Sequence, residues 1–567
     1  VIAAIIDLFT RRYRGLTRGQ RAALWIASVV FGARVAYAIE LTGLTRTGSG
    51  LDLRAPWSLV FAAMAFVVGL FVVTAPESAP TKAEDPRPTQ MLAYVAVPFA
   101  VFCAYLLAFY PALMTEDSYR EWDQVVSGHF NAILPLAYTL LSWVAAGLWM
   151  SPAAPVLMQV VALSVAFGAS MVTLRRAGAP RNLVWGLTAG FALLPLNGAM
   201  AVSMWKDIAF SAALLWLTAI VFRICASQGR AAGERRIVLE LAAALALVAL
   251  LRPNGPAPAL VTAVVLLACY PKTWRPLLAA SAGAVSLMLF VNVGLARASH
   301  ESFEGLGVYN ASPFIYDIGA ILHSDIGTHR KKPKKSHAHA DDDDDDEDVE
   351  LYWVNEAVTP DERAALAQFD DATEWALLYQ PQLYPYWHTK HDHWSRLDDP
   401  KKRDEFMRLW FALARRNPGT LLHHRMLTAR IGWLMAADSY TASIYAHRVL
   451  PDRLGQVFEP PFPWLTRSVR HLLWATVDDG SLRPFIAHPA FASYLAFLFF
   501  ALTAVRRRSA RFLAVAAPLA SNWAATMAFC MAQDARYFYS AFVVLPFALG
   551  LPWTTARGEP TPSSEQA

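Results

Sequence analysis

The stretch EDSYREWD, residues 116 to 123, places Glu116, Asp117, Glu121 and Asp123 within eight positions, directly after an apolar run long enough to cross a bilayer. Carboxylates at such a boundary are costly to desolvate and point to a task, of which general-base chemistry is the most direct. Asp117 is read as the catalytic carboxylate and Glu116 as its rival. The competing structural reading has Asp117 capping the helix that DSYREWDQVV begins. Three further polar clusters interrupt apolar sequence: Trp205-Lys206-Asp207, Arg252-Pro253-Asn254-Gly255 and Asp534-Ala535-Arg536-Tyr537. In this set a carboxylate would take the proton of an attacking hydroxyl while Lys206, Arg252 and Arg536 hold a phosphate leaving group. The arginines would do so through planar forks and the lysine as a point charge. Asp207 is either a second carboxylate or, the favoured reading, the ion-pair partner of Lys206. Asn254, Asp534 and Tyr537 join the substrate-binding set, and Tyr119 and His129 either touch substrate or anchor the interface.

The elements that must position these residues are membrane helices. The chain has 567 residues, 55% hydrophobic and 17% charged, with a mean hydropathy of +0.31, too apolar for a soluble protein of this size. Apolar runs of spanning length lie near 22–42, 56–75, 91–110, 153–174, 182–202, 206–225, 237–253, 257–272, 277–297, 486–505, 511–531 and 537–555. Backbone groups in hydrocarbon must be bonded internally, so an all-α polytopic membrane protein of about twelve crossings is expected. The apolar amino-terminal residues run into RRYRGLTRGQR rather than a small-residue cleavage site, which predicts a cytoplasmic amino terminus. Alternation then puts the basic loops near 175–181, 223–236, 272–275 and 506–511 on that same face, provided that 132–150 lies in the outer interface instead of crossing. All four polar clusters fall on the opposite, outer face.

Composition shifts divide the chain into an amino-terminal helix pair, 1–75, a Pro-rich cytoplasmic linker, 76–90, and a transmembrane core, 91–297, whose first large outer loop is 111–152. Residues 298–485 are expected to form a mainly helical extracytoplasmic domain, and 486–567 the last membrane helices and a cytoplasmic tail. Within that domain 329–350 is a basic block followed by an acidic one, too poor in apolar residues to order itself. His337 and His339 precede six consecutive aspartates, and His388, His391 and His393 cluster nearby, yet neither group has the spacing of a dedicated metal loop. No metal ligands are assigned, no cofactor is obligatory, and a divalent cation is at most optional. Cys103, Cys225, Cys269 and Cys530 are scattered through apolar sequence and read as small core hydrophobes.

Together TEDSYREWDQVVSGHFNAILPLAYTLL, SMWKDIAF, LRPNG and DARYFY resemble bacterial polytopic membrane glycosyltransferases of the GT-C superfamily. The resemblance covers most of the membrane part and much less of the large outer segment. It implies a GT-C-like bundle with outer interfacial helices in the bacterial cytoplasmic membrane, its active site facing the periplasm or cell exterior. It also implies transfer of a sugar from a polyprenyl-phosphate donor to an envelope glycan, lipid or protein, with Asp117 as base and Lys206, Arg252 and Arg536 at the donor phosphate. HFNAILPL stands where a His-Pro-Pro-type sequence is common, which weakens the acceptor-side role of His129. The rival readings are a transporter or flippase for a lipid-linked saccharide, whose charges would line a path open to both faces, and an outer-face glycan polymerase, ligase or acyltransferase. No nucleic-acid partner is implied.

Overall fold

A computed structural model describes residues 2–38, 54–75, 88–330, 349–381, 394–435, 458–478, 483–530 and 534–555. Each apolar run expected to span carries helix over most of its described residues. Among the described residues seven helices are long and apolar enough to cross a membrane: Thr89–Ala108, Ala153–Arg176, Lys206–Ala226, Pro271–Ala298, Pro489–Arg506, Ala510–Phe529 and Ala535–Trp553. An eighth span results if Arg181–Leu193 and Pro195–Ala201, bent by 62° at their junction, are counted as one. The bend falls where Pro195 opens the second helix, since proline has no N–H to continue the first. Ser58–Thr74 and Pro256–Cys269 are apolar but shorter. The protein is therefore a helical, polytopic membrane protein.

The chain forms two compact units, Val1–Ser302 with Ile431–Thr526 and Asp534–Ala567, and Phe303–Arg430 with Met527–Gln533. At the centre of the first runs Lys206–Ala226, whose apolar window is 83% buried against 17% for Pro271–Ala298. It packs on Ala153–Arg176, Arg235–Leu251 and Ser540–Gly550. Its burial all round explains why it is apolar on every face, whereas Pro271–Ala298 turns most of its apolar surface outward, as a lipid-facing helix does. Arg18–Ala38 and Arg54–Thr74 approach closely at Gly32, where a Cβ would lie 2.4 Å from the Ala62 backbone nitrogen. Leu136–Leu148 has 13 residues, about 20 Å of helix, short of a hydrocarbon core of about 30 Å. It exposes Trp143, Val144 and Leu148.

The second unit is built on Leu306–Ser324, against which Ala372–Leu377, Pro400–Arg416 and Pro418–Thr428 pack. Ile315, Ile318, Leu322, Trp375, Trp394 and Phe406 fill its core. A buried carboxylate ties three of these helices together. Asp317 Oδ2 accepts from Trp410 Nε1 at 2.9 Å and from Arg425 Nη2 at 2.7 Å. Tyr379 Oη lies 2.7 Å from His424 Nδ1, and His424 Nε2 lies 3.5 Å from Asp317 Oδ1. Burial pushes Asp317 up to about 6 against the pull of Arg425, and burial with Arg425 pushes His424 down to about 3, so the imidazole stays neutral.

Two sequence expectations change here. Residues 298–485 are not one unit: Pro463–Leu473 groups with the membrane bundle, where Thr466 Oγ1 donates to the Ala108 carbonyl at 2.6 Å. The stretch 329–350 is ordered at both ends, because His329 and Arg330 pair with Glu350 and Val349 in an antiparallel ladder of Ile326–Arg330 with Val349–Trp353. Strand pairing satisfies backbone groups whatever the side-chain polarity, which a count of apolar residues does not register. Residues 331–348, with His337 and His339, lie outside the described residues, as do His388, His391 and His393.

Removing one partner of a buried ion pair leaves the other charge uncompensated, at a cost of about 3–5 kcal/mol. Asp317→Ala should accordingly speed hydrogen exchange across Leu306–Ser324 and Pro418–Thr428 in the full-length protein. Unchanged exchange would show that the network contributes nothing to this unit.

Candidate active site

The site grows from a short backbone pairing between distant segments. Leu113 N–H donates to the Val202 carbonyl at 3.1 Å and Met204 N–H to the Leu113 carbonyl at 3.0 Å. This fixes the entry to helix Glu116–Ser127 beside the entry to Lys206–Ala226. Trp205 Nε1 then donates to Thr115 Oγ1 at 2.9 Å. Thr115 occupies the N-cap position, and its N–H donates to Ser118 Oγ at 3.1 Å. Asp117 therefore does not cap the helix. It sits in the first turn, where the positive end of the helix favours a carboxylate, and its side chain reaches elsewhere. Gly128, at φ 69°, ends the helix in a left-handed conformation that suits glycine.

Asp117 Oδ2 pairs with Arg536 Nη2 at 2.7 Å, and Arg536 Nε pairs with Asp534 Oδ2 at 2.9 Å. Arg536 is 13% exposed and Asp117 38%, so the cation is enclosed while the carboxylate retains access to solvent. Arg252 Nε pairs with Asp207 Oδ1 at 3.1 Å, both nearly buried, and Arg252 Nη1 donates to the Tyr537 carbonyl at 3.1 Å. The Tyr537 ring joins the halves, its centroid 5.4 Å from Arg252 Cζ and 5.1 Å from Arg536 Cζ. Trp205 offers Arg536 a second face at 5.2 Å. Asn254 Nδ2 donates to Thr526 Oγ1 at 3.2 Å, holding the Arg252–Gly255 turn to a neighbouring helix. Gly255 permits that turn, since a Cβ there would meet the Val248 carbonyl oxygen at 2.0 Å.

Asp117, Lys206, Asp207, Arg252, Asn254, Asp534, Arg536 and Tyr537 are thus brought to one end of the bundle, and among the described residues neither Glu116 nor His129 pairs with them. Glu116 is exposed and pairs with Arg120 at 3.6 Å. His129 is exposed beyond Gly128 and makes no hydrogen bond or ion pair with the cluster. Tyr119 is half-buried along the helix. The expected Lys206–Asp207 ion pair does not form: side chains of successive helical residues diverge, and Asp207 turns inward to Arg252. Among the described residues Lys206 has no ion-pair partner, although its charge reaches both Asp117 and Glu121. Both arginines already pair with carboxylates.

Sequence reasoning passed over Glu121, one turn beyond Asp117 and therefore on the same helix face. It is buried beside Thr139, in a polar layer where Tyr138 Oη donates to Gln159 Oε1 at 3.1 Å and Gln159 Nε2 to the Ala201 carbonyl at 2.9 Å. The spacing of four from Asp117 was the available signal. The two carboxyls diverge sharply. Burial pushes Asp117 up, but Arg536, Lys206 and Arg120 together hold it well below the usual carboxylate range. Burial pushes Glu121 up to about 7, only partly offset by Thr139 and Lys206. One acid is kept ionised and the other close to neutral.

Among the described residues no three His, Cys, Asp or Glu side chains converge as a metal-binding group. Asp117, Asp534 and Asp207 each face a guanidinium. The chain matches no family model, no curated protein and no solved structure.

A carboxyl whose folded pKa is raised adds stability that is complete below its ordinary value, here 4.5, and that is lost as pH rises through the folded value. Glu121→Gln keeps the neutral form at every pH. It should match the parent near pH 4.5 and exceed it by roughly 3 kcal/mol at pH 8, read as a higher melting temperature in detergent. Parallel melting curves for the two proteins from pH 4.5 to 8 would contradict the assignment.

Proposed function

We propose that this protein is a GT-C-type membrane glycosyltransferase that moves a sugar from a polyprenyl-phosphate donor to an envelope glycan, lipid or protein, inverting the anomeric centre. In this reading about twelve crossings form the bundle, and the Asp117 cluster faces the periplasm or cell exterior of a bacterial cytoplasmic membrane. The observation that carries it is the pairing of opposites at one bundle end: an ionised, solvent-reachable Asp117 held by Arg536, beside Lys206, which has no ion-pair partner among the described residues.

The chemistry follows from those charges. Lys206 meets the donor phosphate as a point charge, while Arg252 and Arg536 hold Asp207, Asp117 and Asp534 in place around it. The acceptor hydroxyl oxygen bonds to the anomeric carbon as the carbon–oxygen bond to the phosphate breaks. The phosphate leaves with the electron pair, and the hydroxyl proton passes to Asp117. Asp117 is a weak base, but the acceptor oxygen becomes strongly acidic once it bonds to carbon, so a weak base suffices at that stage. Before it, a carboxylate that stays ionised faces the positive charge developing on the sugar ring. Arg536 performs two tasks: it keeps Asp117 charged, and with Asp534 and Trp205 it fixes where that charge sits. No cofactor enters these steps.

In proteoliposomes supplied with polyprenyl-phosphate hexoses and pentoses, the parent protein should transfer sugar to an envelope acceptor. Asp117→Asn should lower turnover by at least about 100-fold with donor affinity retained. Lys206→Ala should instead raise the donor KM. Near-normal turnover by Asp117→Asn would remove the base assignment. Movement of intact lipid-linked sugar across the bilayer without transfer would favour the transporter reading.

A further inference from the structure

Glu121 is a buried acid that the transfer steps leave without a task. It lies one turn along Glu116–Ser127 from Asp117, so the two carboxyls project from the same helix face. Only 3% of Glu121 is exposed, and among the described residues its Oε1 has no hydrogen-bond partner. Helix Leu136–Leu148 packs against Glu116–Ser127 and sets Thr139 and Tyr138 beside this carboxyl. The start of Lys206–Ala226 brings Lys206, whose charge acts on both Asp117 and Glu121. Asp207, the next residue, pairs with Arg252, and on the acid's own helix Arg120 pairs with Glu116. The charges that face Glu121 are therefore one carboxylate, Asp117, and one ammonium, Lys206.

An ionised Glu121 and a bound phosphate compete for that ammonium. A phosphate arriving at Lys206 would meet two carboxylates across a single cation, and like charges so close raise each other's affinity for a proton. Asp117 is poorly placed to take one up, because Arg536 holds it at 2.7 Å. Glu121 is well placed: burial already pushes it up to about 7, and a buried oxygen without a partner gains little from ionising. We propose that Glu121 is the proton-exchanging residue of the donor site: a phosphate settling beside Lys206 draws a proton from water onto the Glu121 carboxylate, and departure of the phosphate releases it. This deepens the reading of Lys206 as the donor-phosphate contact and rests on it. Transfer converts the donor phosphodiester into a monoester with a second negative charge, so the demand for a neutral Glu121 is greatest as the bond to the sugar breaks. Glu121 acts through Lys206 and is a positioning residue.

The full-length protein in neutral detergent would be titrated calorimetrically with polyprenyl-phosphate hexoses and pentoses between about pH 5.5 and 8.5, in buffers of different ionisation enthalpy. These donors are phosphodiesters whose charge is constant over that range, so a proton taken up goes to the protein. A group with a raised folded value favours the phosphate where it is protonated, so parent affinity should be level at low pH and fall as pH rises through about 7. For charges about 8 Å apart at an effective dielectric constant of about 20, the total fall is roughly 30-fold. Near pH 7.5 binding should take up between about half and one proton. Glu121→Gln should keep the parent's low-pH affinity throughout and take up none. Asp117 and His129 remain in this variant, so their titration cannot supply the difference. Thr139→Val removes a hydroxyl that favours the charged form and should move the midpoint upward with proton uptake retained. If the parent and Glu121→Gln share one pH dependence and one proton count while Lys206→Ala still weakens binding, the donor site stands and this inference falls. Affinity indifferent to Lys206→Ala, or a parent that binds no donor at any pH, would remove the donor-site reading and this inference with it.

Discussion

Arg536 is the residue on which the candidate site depends. A guanidinium enclosed at the mouth of a membrane bundle is tolerated only if its charge is answered locally, and Asp117 and Asp534 do so at 2.7 and 2.9 Å. The two acids come from opposite ends of the sequence, so the ion pair also fixes how the first polar loop meets the last membrane helix. Arg252 with Asp207 repeats the device one step deeper, and the Tyr537 ring packs between the two guanidiniums. Four carboxyls and three cations gathered without this pairing would repel or lose their protons unevenly. Paired, they leave one carboxylate reachable, one lysine with no ion-pair partner among the described residues, and one acid, Glu121, pushed up to about 7 by burial.

Much of the architecture was legible in the sequence because membrane helices announce themselves by composition. The long apolar runs all carry helices, and the run after His129 carries the 13-residue helix Leu136–Leu148. Two kinds of feature were not legible. The bend at Pro195 shortens a run that is continuous in hydropathy. Strand pairing at 326–330 and 349–353 reaches into a charged stretch, because a backbone ladder asks nothing of side-chain polarity.

The clusters themselves were visible as polar interruptions, and eight of the expected residues do meet. Their pairings were not visible, because a sequence gives proximity along the chain, whereas ion pairs are set by the direction in which each helix projects its side chains. Lys206 and Asp207 are neighbours that look apart; Asp207 and Arg252, or Asp117 and Arg536, are partners separated by loops and whole helices. Glu121 was hidden for the same reason: its position one turn from Asp117 could be counted, but its burial depends on Leu136–Leu148 closing over it.

Charge balance bears on the proposed reaction. Asp117, Asp207 and Asp534 face Arg536 and Arg252, so the paired groups nearly cancel and Lys206 adds the remaining positive charge. For the proposed transfer this is the useful arrangement: a nearly balanced site need not hold a phosphate tightly, and a phosphate that has left the sugar must also leave the protein.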